Sequence, residues 1–104
     1  MGVLQLNSQN FEKEVLHEQK TVLVDFYADW CGPCKMMAPV VEKLAEEIGD
    51  KAKICKINVD DAQNIAGQYG VMSIPTFIVF KQGEPVKKAV GVQSEEVLKN
   101  MMGM

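Results

Sequence analysis

The chain has 104 residues, 47% of them apolar and 24% charged, with three cysteines and a formal net charge of −3. That length fits one domain, residues 1–104, built around a single core. The acidic balance argues against nucleic acid or an anionic membrane surface as the main partner, and no apolar stretch approaches the length of a bilayer span.

The first seven residues carry neither the basic n-region nor the long apolar h-region of a secretory signal. Leu6 stands where a myristoylation motif wants Ser or Thr. The expectation is a cytoplasmic protein. Residues 3–6 predict a short first strand, and Asn7 or Ser8 can then cap a helix carrying Phe11, Val15 and Leu16 on one side. Residues 21–28 are apolar at successive positions, the pattern of a central strand covered on both faces.

From Pro33 the spacing of Met37, Val40, Val41, Leu44, Ala45 and Ile48 predicts an amphipathic helix, kinked at Pro39 and ended at Gly49. A strand over 52–59 follows, then a short helix through about Gly67, capped by Asp60 or Asp61. Residues 76–80 and 85–90 predict two strands joined by a hairpin turn over 81–84. Ser94 caps a last helix whose Val97, Leu98, Met101 and Met102 should face inward. The order β-α-β-α-β-α-β-β-α calls for a mixed sheet, because helices join the early strands and a tight turn joins the last two.

The chemistry concentrates in Trp30-Cys31-Gly32-Pro33-Cys34, just after the apolar run 22–28. Two thiols this close can close a small disulfide ring. A thiol at a helix N-terminus lies near unpaired N–H groups and the positive end of the dipole, which favour thiolate. Pro33 suits the first helical turn, where its missing N–H has no partner to lose. A CxxC pair also occurs in zinc and iron–sulfur sites, but a structural zinc site needs about four ligands. Only Cys55 and His17 remain as candidates, so no metal is expected. A cysteine-protease set is weaker still, since the second thiol would trap the nucleophile as a disulfide. Cys55 reads as a buried apolar filler in the strand 52–59.

Asp25 is an acid inside a run that otherwise reads as buried. It is either a satisfied core polar group or a desolvated carboxyl with a raised pKa, able to exchange a proton with a nearby thiol. Its place a few residues before the CxxC favours the second reading. Lys56 is its natural neighbour if strands 21–28 and 52–59 lie side by side, and is otherwise an ordinary surface lysine. Ile74-Pro75-Thr76 puts a proline at the start of a strand, where its missing N–H is tolerated. Cis and trans remain equally open there.

Taken together, Val24-Asp25-Phe26, Ala28-Asp29-Trp30-Cys31-Gly32-Pro33-Cys34-Lys35, Pro39, Lys56-Ile57-Asn58-Val59-Asp60, Ile74-Pro75-Thr76 and Gly91 resemble the thioredoxin family from end to end. The resemblance implies an α/β fold with a central mixed sheet of about five strands flanked by four helices. It implies a protein-disulfide reductase with no bound cofactor. Cys31 would be the exposed attacking thiol and Cys34 the buried resolving thiol, with Asp25 handling the proton of Cys34 and Lys56 tuning it. Pro75 would be cis and pack against the disulfide. Trp30, Gly32, Pro33, Ile74, Pro75, Val90 and Gly91 would meet client proteins. The implied partners are a thioredoxin reductase and disulfide-containing clients of a monomeric protein. Tyr27 and Met72 depart from the family's usual residues. Met72, with Met36 on the active-site helix, makes the docking rim more apolar. The rival readings are a disulfide oxidase or isomerase on the same fold, and a binding module in which the thiols are incidental.

Overall fold

Val22, Leu23, Val24 and Phe26 are each fully buried, so the strand they form needs cover on both faces. The computed structural model, which describes residues 2–104, supplies it. Strand β2 (Val22–Tyr27) lies at the centre of a five-stranded sheet with β1 (Leu4–Leu6), β3 (Lys53–Asn58), β4 (Thr76–Lys81) and β5 (Glu84–Val90) in the order β1-β3-β2-β4-β5. β3 runs parallel to both β1 and β2, whereas β4 is antiparallel to β2 and to β5. The sheet is mixed, as the connection lengths require.

Side chains alternate across a strand, and the two halves of the core follow from that alternation. Leu23, Ile54, Phe77 and Val79 pack on one face with Met37, Val41 and Leu44 of α1 (Gly32–Ile48) and with Leu98 of α3 (Glu95–Met101). Val22, Val24, Ile57 and Phe80 pack on the other with Phe11, Val15 and Ile65. Burying each such side chain contributes roughly 1.5–3 kcal/mol. Asp25 follows Leu23 by two residues and so points toward α1.

Several local expectations are corrected. Residues Glu12–Leu16 form a π-helical turn with no side-chain cap at its start. Asn7 instead accepts from the backbone of Gln9 and Asn10 through its side chain, so it caps the preceding turn. Among the described residues four helical segments flank the sheet, this π-helical turn with α1, α2 (Gln63–Gln68) and α3, and a 3₁₀ turn follows α1 at Gly49–Lys51. Neither Asp60 nor Asp61 caps α2, whose N-cap is Ala62. Ser94 does cap α3, accepting from the Val97 N–H at 3.1 Å. Val97 itself is exposed, while Leu98 and Met102 are buried. Among the described residues, no helix is long and apolar enough to cross a membrane.

Candidate functional site

α1 begins where β2 ends, and that junction makes the site. Cys31 is the N-cap of α1 in extended conformation, Gly32 and Pro33 fill the first turn, and Cys34 follows one turn in. The Cys34 N–H donates to Cys31 Sγ at 3.2 Å. A backbone donor and the positive end of a 17-residue helix thus both address the first sulfur, which stabilises negative charge there. The two cysteines are joined as a disulfide with Cα atoms 5.2 Å apart.

In this oxidised form Cys31 is not exposed, as the resemblance implied, but about as buried as Cys34 (4% and 5%). What separates them is the space each one faces. Cys31 opens onto a groove of about 460 Å³, walled by Trp30, Val59, Val71, Met72 and Ile74 and free of charged residues. Gly32 and Pro33 also line it. Cys34 faces a small, partly open cleft of about 40 Å³ shared with Asp25, Tyr27, Glu42 and Lys56.

Asp25 is 4% exposed, and its Oδ1 has no hydrogen-bond partner. Desolvation pushes its carboxyl up to about 7, with the nearby Lys56 charge pulling the other way. Lys56 is the direct lateral neighbour of Asp25 in the β2–β3 register. The lysine's ammonium lies 5.7 Å from the centre of the Tyr27 ring.

The peptide bond between Ile74 and Pro75 is cis. The Ile74 carbonyl oxygen lies 3.8 Å from Cys31 Sγ, and Thr76 Oγ1 donates to the Ser73 carbonyl at 2.6 Å. The Gly91 N–H donates to the Pro75 carbonyl at 2.8 Å, tying the end of β5 to this loop. Gly91 has φ +93°, a conformation that favours glycine. Pro75 is buried and Val90 exposed, and neither of them nor Gly91 lines the groove.

Sequence reasoning gave Asp60 only a helix-capping role and gave Val59 and Val71 no part in the site. Asp60 accepts from Trp30 Nε1 at 2.9 Å, and its own N–H donates to Asn58 Oδ1 at 2.9 Å. The Asn58-Val59-Asp60 stretch was visible as a match to the family, but only the folded loop brings it over Trp30. Of the two remaining metal-ligand candidates, His17 is exposed beside Glu12 and Cys55 is buried in β3. Burial pushes the Cys55 thiol up to about 12 against the pull of Lys53, which leaves it inert at neutral pH.

Comparison with known proteins agrees with this geometry. Residues 2–103 match the thioredoxin family model. The chain is 50% identical over 102 residues to the thioredoxin of Bacillus subtilis (strain 168), covering 98% of this chain and 96% of that one. It is also similar to the thioredoxin of Alicyclobacillus acidocaldarius subsp. acidocaldarius, 49% identical over 93% of this chain and 91% of the relative. The thioredoxin of Porphyra purpurea is 44% identical over 98% and 95%.

Proposed function

The chain belongs to the thioredoxin family and performs dithiol–disulfide exchange through Cys31 and Cys34; from that premise we propose the division of labour within the site. In the reduced protein the Cys31 thiolate attacks one sulfur of a client disulfide. A mixed disulfide forms, and the client's other sulfur leaves as a thiolate. Cys34 then loses its proton to Asp25 and attacks the Cys31 sulfur. The client leaves as a dithiol, two electrons richer, and the Cys31–Cys34 bond takes up the oxidation. A thioredoxin reductase restores the dithiol.

The observation that carries this reading is the asymmetry around the disulfide. Cys31 meets the uncharged open groove and the N-terminus of α1, whereas Cys34 meets a narrow cleft containing an unpaired, buried carboxyl. Attack needs access and a stabilised thiolate, and resolution needs a nearby base, which the buried Asp25 carboxyl supplies. Lys56 sits close enough to tune that base.

The apolar groove supports contact with client segments through Trp30, Gly32, Pro33 and Ile74; Val90 and Gly91, joined to Pro75 through the Gly91 N–H, would extend that contact beyond the groove. The protein works as a cytoplasmic monomer in this reading. Reduction of insulin disulfides by the intact protein, scored by turbidity with a thioredoxin reductase as electron source, tests it. Turnover that survives loss of both Cys31 and Cys34 would sink the assignment, and a dimer by gel filtration would sink the monomer.

A further inference from the structure

Lys56 is adjacent to Asp25 in the sheet but forms no ion pair with it, and Asp25 Oδ1 has no hydrogen-bond partner. Its ammonium instead stands over the Tyr27 ring, 5.7 Å from the centroid, within the range of a cation–π contact. Tyr27 is itself tethered. It follows Asp25 by two residues in β2 and shares its face, and its hydroxyl donates to Gln5 Oε1 on β1 at 3.1 Å. Gln5 is the neighbour of Lys56 on the opposite side from Asp25, and its Nε2 donates to the Lys56 carbonyl at 3.5 Å. Gln5, Lys56 and Asp25 thus form one row across β1, β3 and β2. The Tyr27 side chain crosses β3 to reach the far end of that row, which brings its ring against the lysine.

Asp25 is faced by Lys56 from β3, by Tyr27 from its own strand, and by Cys34 and Glu42 from α1; its neighbour on β4, Phe77, is neutral. Lys56 is the one cation in this set. Where its ammonium rests decides whether the carboxyl is paired or left with an unpartnered oxygen.

We propose that Tyr27 is a positioning residue for the exchange reaction: its ring holds the Lys56 ammonium near the Asp25 carboxyl but off it, so that Asp25 remains free to take the Cys34 proton. The inference rests on the reading of Asp25 as that proton acceptor. A lysine released from the ring swings onto the buried carboxylate, its near neighbour, and locks it in the ionised form. A locked carboxylate is a weaker base for Cys34.

The test follows the Asp25 carboxyl by ¹³C NMR in the reduced protein, alongside the pH profile of mixed-disulfide resolution. Tyr27→Leu is expected to lower the Asp25 midpoint by about one pH unit or more, as an opposite charge at contact does. Resolution should slow in the same variant. Tyr27→Phe keeps the ring and loses only the tether, so it should restore most of the wild-type midpoint. In a Lys56→Met background, Tyr27→Leu should leave the midpoint where Lys56→Met alone puts it, because the cation being positioned is gone. Should Tyr27→Leu fail to fold, Tyr27→Gln removes the ring but keeps a polar reach toward Gln5, and it must move the midpoint in the same way. An unchanged midpoint in the ring-less variant, or an equal change with and without Lys56, overturns the proposal. A midpoint that moves while resolution keeps its rate supports the placement of Lys56 and overturns the acceptor role of Asp25 instead.

Discussion

Trp30, a wall of the exchange groove, is tied to Asp60 outside it, the indole Nε1–H donating to the carboxylate at 2.9 Å. Trp30 is 70% exposed, so packing alone does not fix its ring. Asp60→Ala should free it. Trp30 is the chain's single tryptophan, and fluorescence reads its state without ambiguity. The variant should show stronger acrylamide quenching and a KM for insulin raised about fivefold, the equivalent of one hydrogen bond. Unchanged quenching would mean that the ring is held by something other than Asp60.

Cys34→Ser should accumulate mixed disulfides with clients. The adduct at Cys31 then has no intramolecular exit, and attack by external thiols is slow. Pull-downs from lysate should yield adducts that dithiothreitol dissolves, and Cys31→Ser should yield none. Equal trapping by both variants would reverse or abolish the assigned roles.

The Asp25 carboxyl, raised to about 7 when folded and near 3.8 when not, gives stability an unusual pH slope. Between those two values the native state holds a proton that the unfolded state has released. Stability is therefore fully present below about 3.8 and is lost as pH rises toward about 7, by about 1.4 kcal/mol for each pH unit crossed. Asp25→Ala should stabilise the protein more at pH 8 than at pH 4, a difference of a few kcal/mol in paired urea melts. It should also slow insulin reduction. An effect on stability equal at both pH values would identify Asp25 as an ordinary core group.

Met72 is 96% exposed at the lip of a groove with no charged wall. Met72→Lys should lower kcat/KM for disulfide peptides with Leu or Phe beside the cysteine, and raise it for those with Asp there. The ratio between the two substrates should move about fivefold or more, the scale of burying part of one apolar side chain. An unmoved ratio would show that clients do not touch this lip.

Cys55→Ala should cost about 1–2 kcal/mol of stability, because the thiol fills a fully buried position in β3. Insulin turnover per folded molecule should not change. Loss of turnover in a folded variant would give the third thiol a role that its surroundings do not suggest.

Much of this was legible in residue order. The two-residue spacing of the cysteines, the acid within an apolar run and the proline at a strand start are local signals, and all converge on one place. The register that sets Lys56 beside Asp25 also followed from the pairing of two recognisable strands. What escaped was set by groups distant in sequence. Nothing around Asp60 announces that Trp30 will bond to it across 30 positions. Nothing near Tyr27 announces Gln5 as its partner. Val97 has the helical spacing of a core residue, yet it faces water while Leu98 is fully covered. α3 has only seven residues, too few for periodicity to fix which side meets the sheet. The burial of Cys31 was missed for a related reason: Ala28, Val59 and Ile74, the last 43 positions away in sequence, pack around the cysteine pair only once the chain is folded.

Strand β5 bears on how such a protein keeps company with its clients. It is the outermost strand beside β4, and most of its residues are exposed. Left plain, such a border would template growth by any extended chain, and a reductase meets many of those in partly unfolded form. Here Pro85 offers no N–H, the register slips between Val79 and Phe80, and the exposed Lys87 adds a charge to the strand. Each device discourages a further strand from joining. The molecule can therefore grip an opened substrate at one small patch without seeding an aggregate along its flank.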